Sequence, residues 1–151
     1  MYFEQPPPLG SPDSLPGSPP LAIHGIPARI RVLLVDDHAM MRQGLRSVLE
    51  AYSDVQIVGE AQDGEEAIAL VHQFQPAVVI MDINMPKLNG IEATVQIKSD
   101  YPQIKVIGLS VNAERENQDA MIEAGAYLLI TKEAAVDELY RAIEDAVARK
   151  Q

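Results

Sequence analysis

Val78-Val79-Ile80-Met81-Asp82-Ile83-Asn84-Met85-Pro86, closed by Gly90, is the stretch whose reading decides the fold. Four apolar residues run straight into a carboxylate, and a proline soon stops any continuing strand. A short apolar run bounded by a breaker reads as a strand buried on both faces. Such a strand delivers one acid, Asp82, to its own C-terminal end, where the chain turns into a loop.

Working outward, the same layout recurs. Ile30 to Val35 reads as a buried strand and ends in Asp36-Asp37. Met41, Leu45, Val48 and Leu49 then repeat at helical spacing, which predicts a helix from about Ala39 to Ala51. Val55 to Glu60 alternates, as an edge strand does. Asp63 is a predicted N-cap, followed by Glu65 and Glu66 in the first turn and by an apolar face of Ala67, Ile68, Val71 and Phe74. Gly90 to Lys98 reads as a third helix with Ile91 and Val95 inward. Ile104 to Leu109 is a fourth strand ending at Ser110. A helix from about Glu114 to Ala124 follows, with Ala113, Ala120, Met121 and Ala124 as its stripe and Gly125 placed to end it. Ala126 to Ile130 is a fifth strand ending at Thr131-Lys132, and Val136, Leu139, Tyr140, Ile143 and Val147 mark the last helix. Five βα units in strict alternation predict an α/β fold, a parallel sheet with helices on both faces.

Residues 1–28 read differently. They hold eight of the chain's 11 prolines, interleaved with Gly and Ser, so they have little apolar surface to bury. They are expected to form a disordered or polyproline-like extension, with the folded domain at 29–151.

Composition limits the chemistry. The net charge of −10 argues against direct nucleic-acid contact by this chain and against binding an anionic membrane surface. The absence of cysteine excludes disulfides, thiolate catalysis and Cys-based zinc sites. His24, His38 and His72 lack metal-ligand spacing, and His38 reads as a cap or surface residue at a helix start. No apolar run reaches bilayer length and the N-terminus does not read as a signal peptide, so a cytoplasmic location is expected.

Ligands of open parallel sheets bind outside the C-terminal ends of the strands. Those ends here carry Asp36, Asp37, Asp82, Ser110 and Lys132. Three carboxylates on one rim repel one another unless a cation sits among them. Mg²⁺ suits them, because it takes oxygen ligands and keeps waters. A metal, the Lys132 ammonium and the Ser110 hydroxyl together suit a phosphoryl group. Asp82 is then best placed as the nucleophile that becomes an aspartyl phosphate.

These marks, together with Met85-Pro86 and Gly90 after Asp82, resemble the receiver domain of two-component response regulators over residues 30 to about 149. The wording DDHAMMRQGL and MDINMPKLNGIEAT resembles the subfamily whose full-length members carry a helix-turn-helix output domain. The resemblance implies a flavodoxin-like, doubly wound sheet of order 2-1-3-4-5. It implies that Asp82 is the phosphoacceptor, and that Asp36, Asp37, Asp82 and the main-chain carbonyl of Asn84 hold Mg²⁺. Ser110 and Lys132 would contact the phosphoryl group and report it to the surface formed by the fourth helix, fifth strand and fifth helix. The donor would be a phosphohistidine on a sensor histidine kinase or phosphotransfer protein, and a homodimer is a candidate assembly. The domain would be a switch rather than an enzyme acting on other molecules, catalysing its own phosphorylation and dephosphorylation.

Three positions depart from the family pattern. Leu129 stands where a switch Tyr or Phe is usual, with Tyr127 two residues earlier and expected on the same strand face. Glu133 replaces the proline common after the lysine, and Val111 is bulkier than the usual Ala or Gly, which predicts slower access to Asp82. Two rivals remain: an aspartyl-nucleophile phosphohydrolase, disfavoured because no DxD is present, and an unphosphorylated receiver-like scaffold for protein binding.

Overall fold

The computed structural model describes residues 28–112 and 114–149. The expected extension lies, but for Ala28, outside the described residues, as does Ala113 of the fourth helix's stripe. The elements follow in order: β1 (Ile30–Val35), α1 (Ala39–Glu50), β2 (Val55–Ala61), α2 (Gly64–Phe74), β3 (Val78–Asp82), α3 (Gly90–Asp100), β4 (Lys105–Ser110), α4 (Arg115–Ala124), β5 (Leu128–Thr131) and α5 (Lys132–Ala148). All five strands are parallel and lie in the order β2-β1-β3-β4-β5, so β2 is an edge, as its alternation predicts.

The period of two splits the strand residues between two cores. Val32, Leu34, Ile80, Ile107 and Leu109 pack with Leu45, Leu49, Leu139 and Ile143 of α1 and α5. Leu33, Val35, Val79, Met81 and Val106 pack on the other side with Val71, Ile97 and Met121 of α2, α3 and α4. Each large side chain buried this way contributes about 1.5–3 kcal/mol. The register pairs Val35 with Met81, Asp82 with Leu109 and Ser110 with Thr131. The C-terminal ends of β1, β3, β4 and β5 are therefore level, and their polar residues share one rim.

Side-chain caps fix the starts of α2, α3 and α5. The Asp63 carboxylate accepts from the Glu66 amide at 2.8 Å, the N-cap expected of it. The Asn89 and Thr131 side chains cap α3 and α5 in the same way. Gly125 ends α4 at φ 112°, a left-handed conformation that suits glycine.

Helix faces differ from the sequence reading in three places. Val95 is 53% exposed, and α3 instead buries Ala93, Thr94 and Ile97. Thr94 reads as polar, but its hydroxyl donates to the Gly90 carbonyl at 2.7 Å, which lets it lie inside. Val136 is 59% and Val147 39% exposed, because α5 packs closely through Ala135, Leu139, Ala142, Ile143 and Ala146. Tyr140 is half-buried, stacks on Tyr52 and donates to Asp54 at 2.8 Å, tying α5 to the α1–β2 connection.

The fifth strand starts at Leu128, two residues later than the hydropathy suggests. That shift overturns the expected pairing of Tyr127 with Leu129. Tyr127 packs on the α1/α5 core and Leu129 on the opposite one. The alternation holds only along regular strand backbone, and Tyr127 precedes it. Leu129 fits because Gly108 has no side chain: a Cβ there would stand 2.7 Å from the Leu129 methyl and 2.8 Å from the Met121 methyl.

Candidate functional site

β1 ends at the acid pair and β3 ends at Asp82, its neighbour in the sheet. Asp36 and Asp82 are 0% and 1% exposed, a cost the fold accepts only where the charges are offset. The offset comes from Lys132, the first residue of α5. Its ammonium lies 2.9 Å from Asp36 Oδ2 and 3.2 Å from Asp82 Oδ2. Neither oxygen has an aligned hydrogen bond, so the lysine holds both by charge. Asp82 Oδ1 accepts from the Asn84 amide at 3.2 Å, and Asp36 Oδ1 accepts from the His38 amide at 2.8 Å.

Electrostatics at Asp82 are strained. Burial first, then repulsion from Asp36, push its carboxyl up to about 6, against the pull of Lys132 and the Asn84 amide. Burial alone would lower the Lys132 ammonium, but its pairing with Asp36 and Asp82 outweighs this and holds it above the ordinary lysine value.

The loop after β3 is shaped by Gly90. A Cβ at Gly90 would collide with the Asp82 carbonyl oxygen and stand 2.7 Å from the Ile83 Cα. The start of α3 can therefore press directly against the backbone that carries Asp82. Ser110, 1% exposed at the end of β4, accepts from the Asn112 amide at 3.3 Å. Val111, beside it, is 71% exposed and stands at the mouth of the rim.

Two groups escaped the sequence reading. His38 is an exposed N-cap residue without a side-chain cap bond, yet its Nδ1 lies 3.2 Å from Asp36 and 3.1 Å from Asp37. It joins Asp36, Asp37 and Asp82 in a cluster whose potential ligand atoms all lie within 4.8 Å of one another. Its adjacency to the acid pair was the available signal. Arg42, one turn into α1, donates to the Asp36 carbonyl and pairs with Glu60 at 2.9 Å. It braces the β1–α1 connection against β2, and only tertiary contact reveals this.

The donor set suits a hard divalent cation. All three acids supply oxygen, and Asp36 Oδ2, Asp37 Oδ1 and Asp82 Oδ2 are buried without a hydrogen-bond partner.

An open parallel sheet of order 2-1-3-4-5, with acids at its crossover and a lysine opposite them, is the architecture of a receiver domain. The chain belongs to that family: the model of the response regulator receiver domain matches residues 32–144. Receiver domains are phosphoacceptor switches of two-component systems, and they bind Mg²⁺ at an acidic pocket. The response regulator VraR of Staphylococcus aureus (strain Mu3 / ATCC 700698) is 41% identical over 114 residues, 76% of this chain and 54% of that one. The response regulator domain of Thermotoga maritima CheB superposes with a TM-score of 0.76 at 34% identity, over 82% of this chain and 99% of that one. A chain of the CheX–CheY–BeF3–Mg²⁺ complex from Borrelia burgdorferi superposes with a TM-score of 0.73 at 26% identity, over 83% and 92% of the two chains. Other related regulators are of the LuxR/NarL and DegU/VraR types, with helix-turn-helix output domains. The chain spans about half the length of the curated relatives it matches. No described helix is long and apolar enough to cross a membrane.

Proposed function

We propose that this chain is a switch in a two-component phosphorelay, with Asp82 as its phosphoacceptor. The observation that carries the reading is the position of Lys132, within 3.2 Å of two buried carboxylates at the sheet's crossover. The donor is a phosphohistidine of a sensor kinase or phosphotransfer protein. An Asp82 oxygen attacks the phosphorus, the P–N bond breaks, and the imidazole leaves with the bond electrons and takes up a proton. Lys132 neutralises charge on the phosphoryl oxygens, and Ser110 turns its hydroxyl from the Asn112 amide to donate to one of them.

Asp36, Asp37, Asp82 and the Asn84 carbonyl would hold Mg²⁺. When bound, the ion offsets the repulsion between acids and the charge of the incoming group. Asp36 is bound to Lys132, whereas the Asp37 side chain is 27% exposed, which favours Asp37 as the more direct ligand.

Phosphorylation draws Ser110 and Lys132 inward, at the ends of β4 and at the start of α5. Output then passes through the α4–β5–α5 surface, where Ile122 and Val136 are exposed and offer apolar area to a partner or to a second copy of the chain. Leu129, packed over Gly108 and Met121, lies between the site and α4 in place of an aromatic side chain. We assign the folded switch to residues 29–151, and transcriptional output to a helix-turn-helix domain of the kind its relatives carry.

Incubation with acetyl phosphate and Mg²⁺, followed by intact-protein mass measurement, tests the reading. One phosphoryl group is expected on wild type and none on Asp82→Asn. A gain in both forms, or in neither, overturns it.

A further inference from the structure

The edge of the sheet opposite Asp82 holds a groove of about 420 Å³ at the N-terminal ends of β1 and β4 and the C-terminal ends of α2 and α5. Arg29, Arg31, Lys105 and Arg149 line it, with Pro76 and Val147 among its apolar walls. Four of the chain's 12 cations meet there, in a protein of net charge −10, and among the described residues no Asp or Glu lines the groove. None of the four pairs with a described carboxylate within ion-pair distance.

Helix ends explain part of this charge. Arg31 donates to the Gln75 carbonyl at the end of α2 at 3.2 Å, and Arg149 stands at the end of α5. Each C-terminus carries roughly half a negative charge, so two of them offset about one cation of the four. A surplus of about three positive charges remains. Of the four, Lys105 also acts on the neighbouring Lys98, whose ammonium is lowered by burial first and then by repulsion from Lys105. Its hydrogen bonds go to the Pro102 and Ile104 carbonyls, not to an acid.

The geometry points to a binding site for a small, multiply charged phosphate anion in this groove. Guanidinium forks match phosphate oxygens in pairs, and a lysine adds a point charge. The volume suits a small molecule rather than a folded partner. The acid rim cannot compete for such an anion without a divalent cation, because its own charge repels it.

Pyrophosphate is the probe, titrated into the full chain in buffer with chelator and without Mg²⁺, and followed by backbone amide shifts. Saturable shifts are expected at Ala77 and Lys105, with a Kd of about 1 mM or tighter at low salt. Lys105→Gln and Arg149→Gln should each weaken binding about threefold, and the double variant about tenfold. Arg31 also caps α2, so it is left intact. Unchanged far-ultraviolet circular dichroism shows that the variants fold. Binding should weaken several-fold between roughly 50 and 200 mM salt. Three results overturn the inference: no saturation by about 20 mM, equal binding by the double variant, or shifts centred on Asp82. Tighter binding of poly-glutamate than of pyrophosphate also overturns it, and assigns the groove to an acidic peptide.

Discussion

The two edges of the sheet carry opposite charge for one shared reason and two different ones. At the C-terminal edge the helices begin, and their N-termini favour anions; at the other edge the helices end and favour cations. Asp63 sits where that rule predicts and needs no further account. Asp36 and Asp82 exceed it, since they are buried against each other and held by one lysine. The four cations of the opposite groove exceed it too, but lie partly open to water. The contrast teaches that a site is marked by charge beyond what helix ends can offset, and that burial separates a strained site from a tolerant one.

The strained edge should answer most sharply to mutation. Asp82→Asn should abolish phosphorylation by acetyl phosphate while stabilising the metal-free protein at neutral pH. Its raised carboxyl, at about 6, costs at most about 3 kcal/mol there, so a gain of about 1–3 kcal/mol in urea denaturation is expected. A loss of stability would break the strain argument. Lys132→Ala should cost about 3 kcal/mol at pH 8, because it leaves two buried carboxylates without their counter-charge. The loss should shrink by pH 5, where Asp82 takes up a proton.

Acidity gives a finer test. Asp82 titrates higher in the folded chain than in the unfolded one, so the folded state holds the extra proton between about pH 4 and 6. Its contribution makes the metal-free protein more stable as pH falls through 6. Mg²⁺ must displace that proton, so its affinity by calorimetry should fall by up to about tenfold per pH unit below 6 and level off above 7. A flat profile would place the ion elsewhere.

The smallest effect belongs to the opposite edge. Lys105→Gln should change stability by less than about 0.5 kcal/mol, since a half-exposed lysine without an acid partner holds little together. A large loss would show that the groove is structural rather than a place for an anion.

Much of the strained edge was legible in the chain. An apolar run ending in Asp82 forces a buried strand to present a carboxylate, and the ends of the other strands supplied Asp36, Asp37, Ser110 and Lys132 by the same logic. The positions of Val95, Val136 and Val147 were not legible. A helix rotates about 100° per residue, and small residues such as Ala93, Ala135 and Ala146 can carry the packed face when the approach is close. The approach of His38 to both acids depends on a side-chain direction that no spacing encodes.

The sequence by itself determined the βα alternation and the acids at the strand ends, because hydrophobic period and chain breakers act locally. Only the tertiary structure decided that Lys132 bridges Asp36 and Asp82, that Tyr127 and Leu129 part to opposite cores, and that residues 29, 31, 105 and 149 meet in one groove. Those outcomes depend on how distant segments are aligned by the sheet's register, and charge acts through space rather than along the chain.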